Sequence, residues 1–285
     1  MGRELKGQEV AKQISSELIQ EIASLKKEGI IPTLAVVRVG NKEDDIYYQR
    51  SVARFCKTVG ISVEEYLFED TVTEEELVHE IINLNLDEAI NGVLILKPLP
   101  AHISDHRICM TLDPGKDIDG ITDISLAGVM KNTRNGFAPC TAAAVIEILR
   151  YFKIDTAGKN AVVIGRSLVV GKPLALMLLS LDATVTVCHT KTFNLSRVAS
   201  EADILIAAAG RAGMVGADYV KQGAVVIDVG INVGNDGRMT GDVDYDAVFE
   251  KAAAITPVPG GVGSVTTAVL AKQLVKAAKN QHAGS

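Results

Sequence analysis

Apolar residues recur at helical spacing from Val10 to Glu28, stop at Pro32, and give way to the β-rich run TLAVVRV. The alternation then repeats. A helical stretch over about Asp45–Lys57 leads through Gly60 into ISVEEYLF, and Glu74–Leu84 is helical again before the short apolar run GVLIL. Pro and Gly return at loop density in PLPAHIS and LDPGKDIDG, a composition that suits strand ends opening into a site. PCTAAAVIEILRYF reads as a helix joining two lobes. Beyond it AVVIG, TVTVC, DILIAAAG and AVVIDVG are apolar throughout, which predicts strands covered on both faces, in a parallel sheet built from βαβ units. The last helix, over about Ser264–Asn280, follows PVPGGVG with no strand after it and is expected to pack back on the first lobe.

Composition narrows the class of function. At 285 residues and 47% hydrophobic content the chain can fill two cores without staples. Its 29 Lys and Arg are outnumbered by 35 Asp and Glu, giving a formal charge of -6 without a concentrated basic face, so nucleic acid is not an expected partner. No apolar run reaches the roughly 18 to 20 residues of a membrane helix, and MGRELKGQEV lacks a signal-like apolar segment; a cytoplasmic protein with no membrane partner is expected. Cys56, Cys109, Cys140 and Cys188 are scattered without a C-x-x-C pair, which fits a reducing compartment and neither a disulfide framework nor a zinc knuckle.

The strongest chemical signal follows the strand AVVI, which runs into GRSLVVGKP before ALMLLS resumes at helical spacing. Glycine permits a tight turn and close backbone approach, and free amides at a helix start suit a pyrophosphate. The spacing departs from G-x-G-x-x-G, since Gly165 and Gly171 are six apart, and a strand-to-helix turn of any α/β protein also fits it. One strand later, TVTVCHTKT places His189, Thr190 and Lys191 where an NAD enzyme would carry an acid for the ribose. Arg166 and Lys191, with Ser167 and Thr190, would instead meet a 2'-phosphate, which favours NADP; solvated loop residues are the alternative. The fold expected is therefore α/β, with two αβα lobes and a cleft between them. Residues 1–139 with 264–285 form the first lobe, and residues 140–263 a Rossmann-like dinucleotide-binding domain.

Other constellations are weaker. His102 and His106 stand four apart near Asp105 and Cys109, but no further ligand pair accompanies them, so a solvated helix is preferred to a metal site. No cysteine sits in a nucleophile motif and the G-x-S-x-G elbow is missing.

GRSLVVGKP, TVTVCHTKT, ADILIAAAGRAGMV, VVIDVGIN, GDVDY and ITPVPGGVG, in this order, resemble the FolD-type methylenetetrahydrofolate dehydrogenase/cyclohydrolase family. VGNKEDDIYY, NGVLILKPLP, DPGKDIDG and PCT extend the resemblance over nearly the whole chain. It implies NADP-dependent oxidation of methylenetetrahydrofolate, tetrahydrofolate derivatives as substrates, and a homodimer. It carries cofactor contacts onto Gly165, Arg166, Ser167, Thr190 and Ile231, and folate contacts onto Tyr48, Asp119 and the loop containing Pro257, Gly260 and Gly261, with Tyr48 and Asp119 as the catalytic pair. Tyr48 offers an aromatic face to the pterin or ordinary helix packing. Asp119 can pair with the pterin amino group and ring nitrogen, or form a turn.

Two departures stand out. The family carries Ser, Tyr and, four residues after the Tyr, a catalytic Lys; here those places hold Asp45, Tyr48 and Val52. Its strand reads V-Q-L-P-L-P, with the Gln bonded to that Lys, and here Leu96 replaces the Gln. Ala142, Ala144 and Ser264 depart from the pattern less consequentially. A dehydrogenase with little cyclohydrolase activity is expected, and the alternative is a catalytically silent paralogue that binds folate or nucleotide as a regulatory partner.

Overall fold

The computed structural model of the chain describes residues 2–133, 136–234 and 237–283. In order, its elements begin with β1 (Arg3–Glu4), α1 (Gly7–Lys27), β2 (Thr33–Val39), α2 (Glu43–Val59), β3 (Ser62–Phe68), α3 (Glu74–Leu86) and β4 (Gly92–Ile95). Next come α4 (Asp105–Thr111), α5 (Asp123–Lys131), α6 (Cys140–Tyr151), β5 (Asn160–Ile164), α7 (Gly171–Leu179), β6 (Thr184–Cys188) and α8 (Leu195–Ala199). The chain finishes with β7 (Ile204–Ala207), β8 (Val225–Asp228), β9 (Asn232–Val233), β10 (Met239–Thr240), α9 (Tyr245–Phe249), β11 (Ala254–Ile255) and α10 (Val262–Ala283). Two compact units result, one of residues 13–138 with 267–285, the other of residues 1–12 with 139–266.

The first unit carries a parallel sheet ordered β3-β2-β4. Its middle strand β2 is buried along its whole length. Side chains alternate between faces, so Ala35, Val37 and Val39 join Leu77, Ile81, Val93, Ile95 and Ile108 in one core layer. Leu34, Val36 and Arg38 therefore face the other side, where Arg38 Nε donates to Gln49 Oε1 of α2 at 2.8 Å. The segment after α4 extends this sheet, Val93 N–H donating to Lys116 O at 2.8 Å. Helix α10 closes the unit: Gln273 Nε2 donates to the carbonyls of Ile118 and Ala138 at 2.8 and 3.0 Å. Gly92 permits the fit, because a Cβ there would lie 2.6 Å from Ile118 and 2.7 Å from Leu274.

The second unit holds a parallel sheet ordered β1-β11-β8-β7-β5-β6. Its strand order reverses at β5, with β6 on one side and β7 on the other, and such a switch point leaves a crevice at the carboxyl ends of the strands. Strands β5, β7 and β8 are buried nearly throughout, as their apolar runs predict. TVTVC is not covered on both faces: β6 is the sheet edge, and Thr184, Thr186 and Val187 are exposed. Residues 1–12, grouped by pattern with the first lobe, belong to this unit because Arg3 and Glu4 pair with Ala254 and Ile255. A two-residue strand has no periodicity to read. The last helix also changes unit after Thr266 rather than at its start.

Two buried carboxylates fasten the strand-end loops of this sheet. Asp242 accepts N–H bonds from Ala209, Gly210 and Arg211 at 2.6, 2.9 and 2.8 Å, and from Asn232 Nδ2 at 2.9 Å. Asp228 accepts from Gly230, Asp242 and Val243 at 2.9, 3.0 and 2.9 Å, while its own N–H donates to Thr256 Oγ1 at 2.7 Å. The chain closes so tightly on them that a Cβ at Gly241 would sit 1.8 Å from Asp228 Oδ2 and one at Gly230 2.3 Å from Asp242. Burial pushes the Asp228 carboxyl up to about 6, against the pull of its N–H donors.

Asp228→Asn places an NH₂ where the aspartate has an acceptor facing N–H donors, and is expected to cost about 1–3 kcal/mol near neutral pH. The pH dependence has a definite sign. A folded-state value near 6 lies above the usual 3.8, so the folded protein holds the extra proton between these limits and loses that stabilisation as pH rises from about 4 to 6. The deficit of the Asn variant should therefore widen as pH falls from 6 to 4, measured by denaturant titration of both proteins; a deficit independent of pH would contradict the assignment.

Candidate active site

Strand β5 delivers Gly165 at φ +136°, where a Cβ would meet the carbonyl oxygen of Ala208 at 2.2 Å. At the far side of the loop, a Cβ on Gly171 would meet Gly165 O at 2.1 Å. Glycine is thus required at both ends by close backbone approach, at the switch point between β5 and β7. Between them Arg166, Ser167, Leu168 and Val169 are exposed. The start of α7 offers fewer free amides than its sequence suggests. Val170 N–H donates to Ser167 Oγ at 3.1 Å, Lys172 N–H to Ser167 O at 3.0 Å, and Pro173 has no N–H. Ser167 thereby fixes the loop, and Arg166 is left exposed beside it.

Ile164 and Cys188 are register partners, so Arg166 and the turn after β6 leave neighbouring strand ends. That turn is self-fastened: His189 N–H donates to Thr192 Oγ1 at 2.8 Å and Lys191 N–H to His189 Nδ1 at 3.1 Å. Thr190 and Lys191 stay exposed, and among the residues 189–192 none is acidic. The donors available here are cationic and hydroxylic, the chemistry that suits a phosphate more than ribose hydroxyls. The cradle of small residues and these donors fit a phosphorylated dinucleotide. Ile231 is exposed just beyond β8, and its side chain lies 3.4 Å from a Cβ built on Gly263.

The Pro257–Gly261 loop lies in this same unit. Gly7 N–H donates to Gly260 O at 2.9 Å, and a Cβ on Gly7 would fall 2.0 Å from Gly261 O. Pro257, Gly260 and Gly261 thus share a unit with Gly165, Arg166, Ser167, Thr190 and Ile231, whereas Tyr48 and Asp119 belong to the first unit.

In the first unit Tyr48 stands half-buried on α2, one turn from the fully buried Val52 and beside buried Gln49. Asp45, one turn before Tyr48, has its carboxyl raised by burial, with Lys42 pulling the other way. Asp119 lies at the centre of KDIDG, but Asp117 is the residue that forms the turn: it accepts from Ile121 and Thr122 N–H at 2.9 and 2.8 Å, and is fully buried. Burial raises the Asp117 carboxyl. Asp119 remains half-exposed in the turn that Asp117 holds.

Val52 and Leu96 are both buried. Lys97 turns to the opposite side, its ammonium 3.4 Å from both Asp105 Oδ1 and Cys109 Sγ on α4. His102 Nε2 lies 2.9 Å from Val72 O. Among the described residues no group of three or more His, Cys, Asp or Glu side chains could hold a metal ion, and no helix is long and apolar enough to cross a membrane. Sequence reasoning missed Asp228, Asp242 and Arg38. The first two were visible as acids ending or following an apolar strand in VVIDVG and GDVDY, and Arg38 as a lone charge in TLAVVRV.

Residues 5–119 match the family model for the tetrahydrofolate dehydrogenase/cyclohydrolase catalytic domain, and residues 139–282 that for its NAD(P)-binding domain. The Bifunctional protein FolD of Clostridioides difficile (strain 630) is 50% identical over 281 residues, covering 99% of this chain and 98% of that protein. Among solved structures, the bifunctional FolD methylenetetrahydrofolate dehydrogenase/cyclohydrolase of Campylobacter jejuni superposes with a TM-score of 0.97 at 41% identity, covering 98% of this chain and 99% of that one. The Trypanosoma brucei methylenetetrahydrofolate dehydrogenase-cyclohydrolase, complexed with NADP cofactor and inhibitor, gives 0.93 at 36% identity over 98% of each chain. With two domain models spanning most of its length and relatives matched end to end, the chain belongs to the tetrahydrofolate dehydrogenase/cyclohydrolase family.

Proposed function

We propose that this protein is an NADP-dependent 5,10-methylenetetrahydrofolate dehydrogenase whose methenyltetrahydrofolate cyclohydrolase activity is weak. The observation that carries the reading is the contrast between its two kinds of site residue. Gly165, Gly171, Arg166, Ser167 and Thr190 keep a nucleotide-binding arrangement, while Val52 and Leu96 put hydrocarbon where the family has a lysine and its glutamine partner.

NADP, when bound, accepts the hydride. The chain's own task is orientation, worth a large part of the barrier when the reacting groups are held in place. Arg166 meets the 2'-phosphate, Gly165 lets the backbone approach the dinucleotide, and Ser167 fixes the loop between them. Tyr48 presents its ring to the pterin, and Asp119 accepts from the pterin amino group and ring nitrogen. The carbon that gives up the hydride lies between two nitrogens whose lone pairs stabilise the cation left behind, so this step requires no general base.

Ring opening differs. Water must add to the methenyl carbon, and protons must move before a carbon–nitrogen bond breaks, so a tuned acid or base contributes about 10² to 10⁴ in rate. Val52 cannot titrate. Lys97 holds its ammonium against Asp105 and Cys109 of α4 and is a poor substitute.

In steady-state kinetics the protein is expected to reduce NADP with methylenetetrahydrofolate more efficiently than NAD, and Arg166→Ala to weaken NADP far more than NAD. Equal efficiency would remove the 2'-phosphate argument. No turnover with either cofactor would favour the silent, folate- or nucleotide-binding alternative.

Asp119→Ala is expected to weaken folate binding by about 1.5–3 kcal/mol, the scale of a hydrogen bond to a charged group, while leaving NADP affinity intact. Titration calorimetry with each ligand separately measures both. Unchanged folate affinity would leave Asp119 without a role in recognition.

Decay of the methenyl chromophore tests the hydrolysis. The unmodified protein should accelerate it no more than about tenfold over buffer, since the base worth about 10² to 10⁴ is missing. Val52→Lys alone should restore little, because its ammonium would be buried without a partner and near Arg38, a like charge. Combining it with Leu96→Gln should recover more than the two single changes together, as contacting residues do. Fast decay with the unmodified protein would show that another group performs the step.

A further inference from the structure

Arg38 is the one charged residue in strand β2, and it is only 7% exposed. Its Nε donates to Gln49 Oε1 at 2.8 Å, and its Nη1 to Gly40 O and to Asn41 Oδ1, the latter at 2.9 Å. All three partners are neutral. Among the described residues no carboxylate lies within ion-pair reach of it, and Asp45, whose burial-raised carboxyl it only weakly opposes, stands farther off on α2. A guanidinium buried without counter-charge is costly unless something supplies one.

Nη2 makes no hydrogen bond to the described residues. No fully buried side-chain nitrogen or oxygen among them goes unpartnered, so this nitrogen lies where solvent or a ligand reaches it. The guanidinium is therefore clamped on one edge and presents the other. Register fixes its surroundings. Val36 pairs with Leu94 and Val37 with Ile95, so one step further Arg38 falls beside Leu96, on the same face of the sheet. Gln49 and Val52 are one turn apart on the buried side of α2, and Tyr48 is next to Gln49. Arg38 thus shares a sheet face with Leu96 and is bonded to α2 one turn from Val52, the two positions where the lysine and glutamine are missing, with a cation on the strand and an amide on the helix.

We propose that Arg38 is the substrate-orienting cation of the first unit, its Nη2 donating to the ring carbonyl oxygen of the pterin, with Gln49 setting the angle of the guanidinium. The assignment rests on the folate reading above. A planar group beside Leu96 suits a flat heterocycle, and a guanidinium presents its N–H donors in a fixed fork that orients a carbonyl oxygen.

The test is steady-state kinetics of Arg38→Ala and Arg38→Lys with methylenetetrahydrofolate and NADP, beside the unmodified protein. Arg38→Ala should raise KM for the folate about 10- to 100-fold, as for loss of a charged hydrogen bond, with KM for NADP changed less than about twofold. Guanidinium chloride below denaturing concentrations should restore part of its activity where sodium chloride does not. If the Ala variant fails to fold, Arg38→Lys carries the test: its single ammonium cannot hold Gln49, Gly40 and Asn41 and also donate outward, so the same KM signature is expected. A glutamate-free substrate, methylenetetrahydropteroate, should show the same loss; if the loss vanishes, Arg38 holds the glutamyl tail and the ring assignment is wrong. Unchanged folate KM in both variants overturns the proposal while leaving the dehydrogenase reading intact. An unmodified protein that neither binds nor turns over the folate, by calorimetry and by nicotinamide absorbance, overturns that reading and this proposal with it.

Discussion

Seven N–H donors converge on two carboxylates in the second unit, four on Asp242 and three on Asp228. Loops at the ends of parallel strands carry backbone amides that the sheet cannot satisfy, and burying them without acceptors would cost on the order of 1–3 kcal/mol each. A carboxylate placed among them gathers several at once. Because Asp242 reaches Ala209–Arg211 after β7 and Asp228 reaches Gly230 after β8, both loops are tied to the one segment 241–243. The position of Ile231, and the backbone of Ala208 against which Gly165 packs, follow from that fastening.

Much of this fold is legible in the chain because its signals are local. TLAVVRV and TVTVC coincide with β2 and β6, and the capping pair Thr73 and Glu76 marks the start of α3. What escapes is nonlocal. Strand β1 exists only because residues 254–255 lie beside it, and TVTVC reads like a covered strand though it sits at an edge, a property of sheet order rather than of sequence. The site shows the same division. Gly165 and Gly171 announce themselves by type, whereas the capture of the Val170 amide by the Ser167 hydroxyl depends on a rotamer that no spacing encodes. The division of labour between Asp117 and Asp119 in KDIDG is equally invisible, since both suit a turn and only burial tells which one forms it.

The face of the first unit bearing Val52, Leu96, Gln49 and Arg38 sets buried hydrocarbon beside a hydrogen-bonded polar pair. Removing one member of a buried hydrogen-bonded pair exposes the other to an unpaid desolvation cost; replacing both by hydrocarbon does not. Here the hydrocarbon pair coexists with Arg38 and Gln49, which share one hydrogen bond, from Arg38 Nε to Gln49 Oε1. If the two proposals above hold, this face orients a substrate with a cation that does not exchange its proton.

The boundaries between the units fall inside α1, after Lys12, and inside α10, after Thr266. Each unit therefore borrows a closing piece from the opposite end of the chain: β1 completes the sheet begun by β11, and Gln273 ties down the carbonyls of Ile118 and Ala138. During synthesis the first unit's sheet is made early yet waits for the final helix to emerge, and throughout that interval Gly92 and Ile118 lack the cover of Leu274. Loop closure across some 150 residues adds little to the equilibrium cost, since that cost grows only logarithmically with length, but it sets the order of events. The second unit has all its residues by Thr266, whereas the first is completed only at the end of translation, and a nascent chain stalled before residue 267 presents the ribosome's surroundings with an uncovered apolar sheet face.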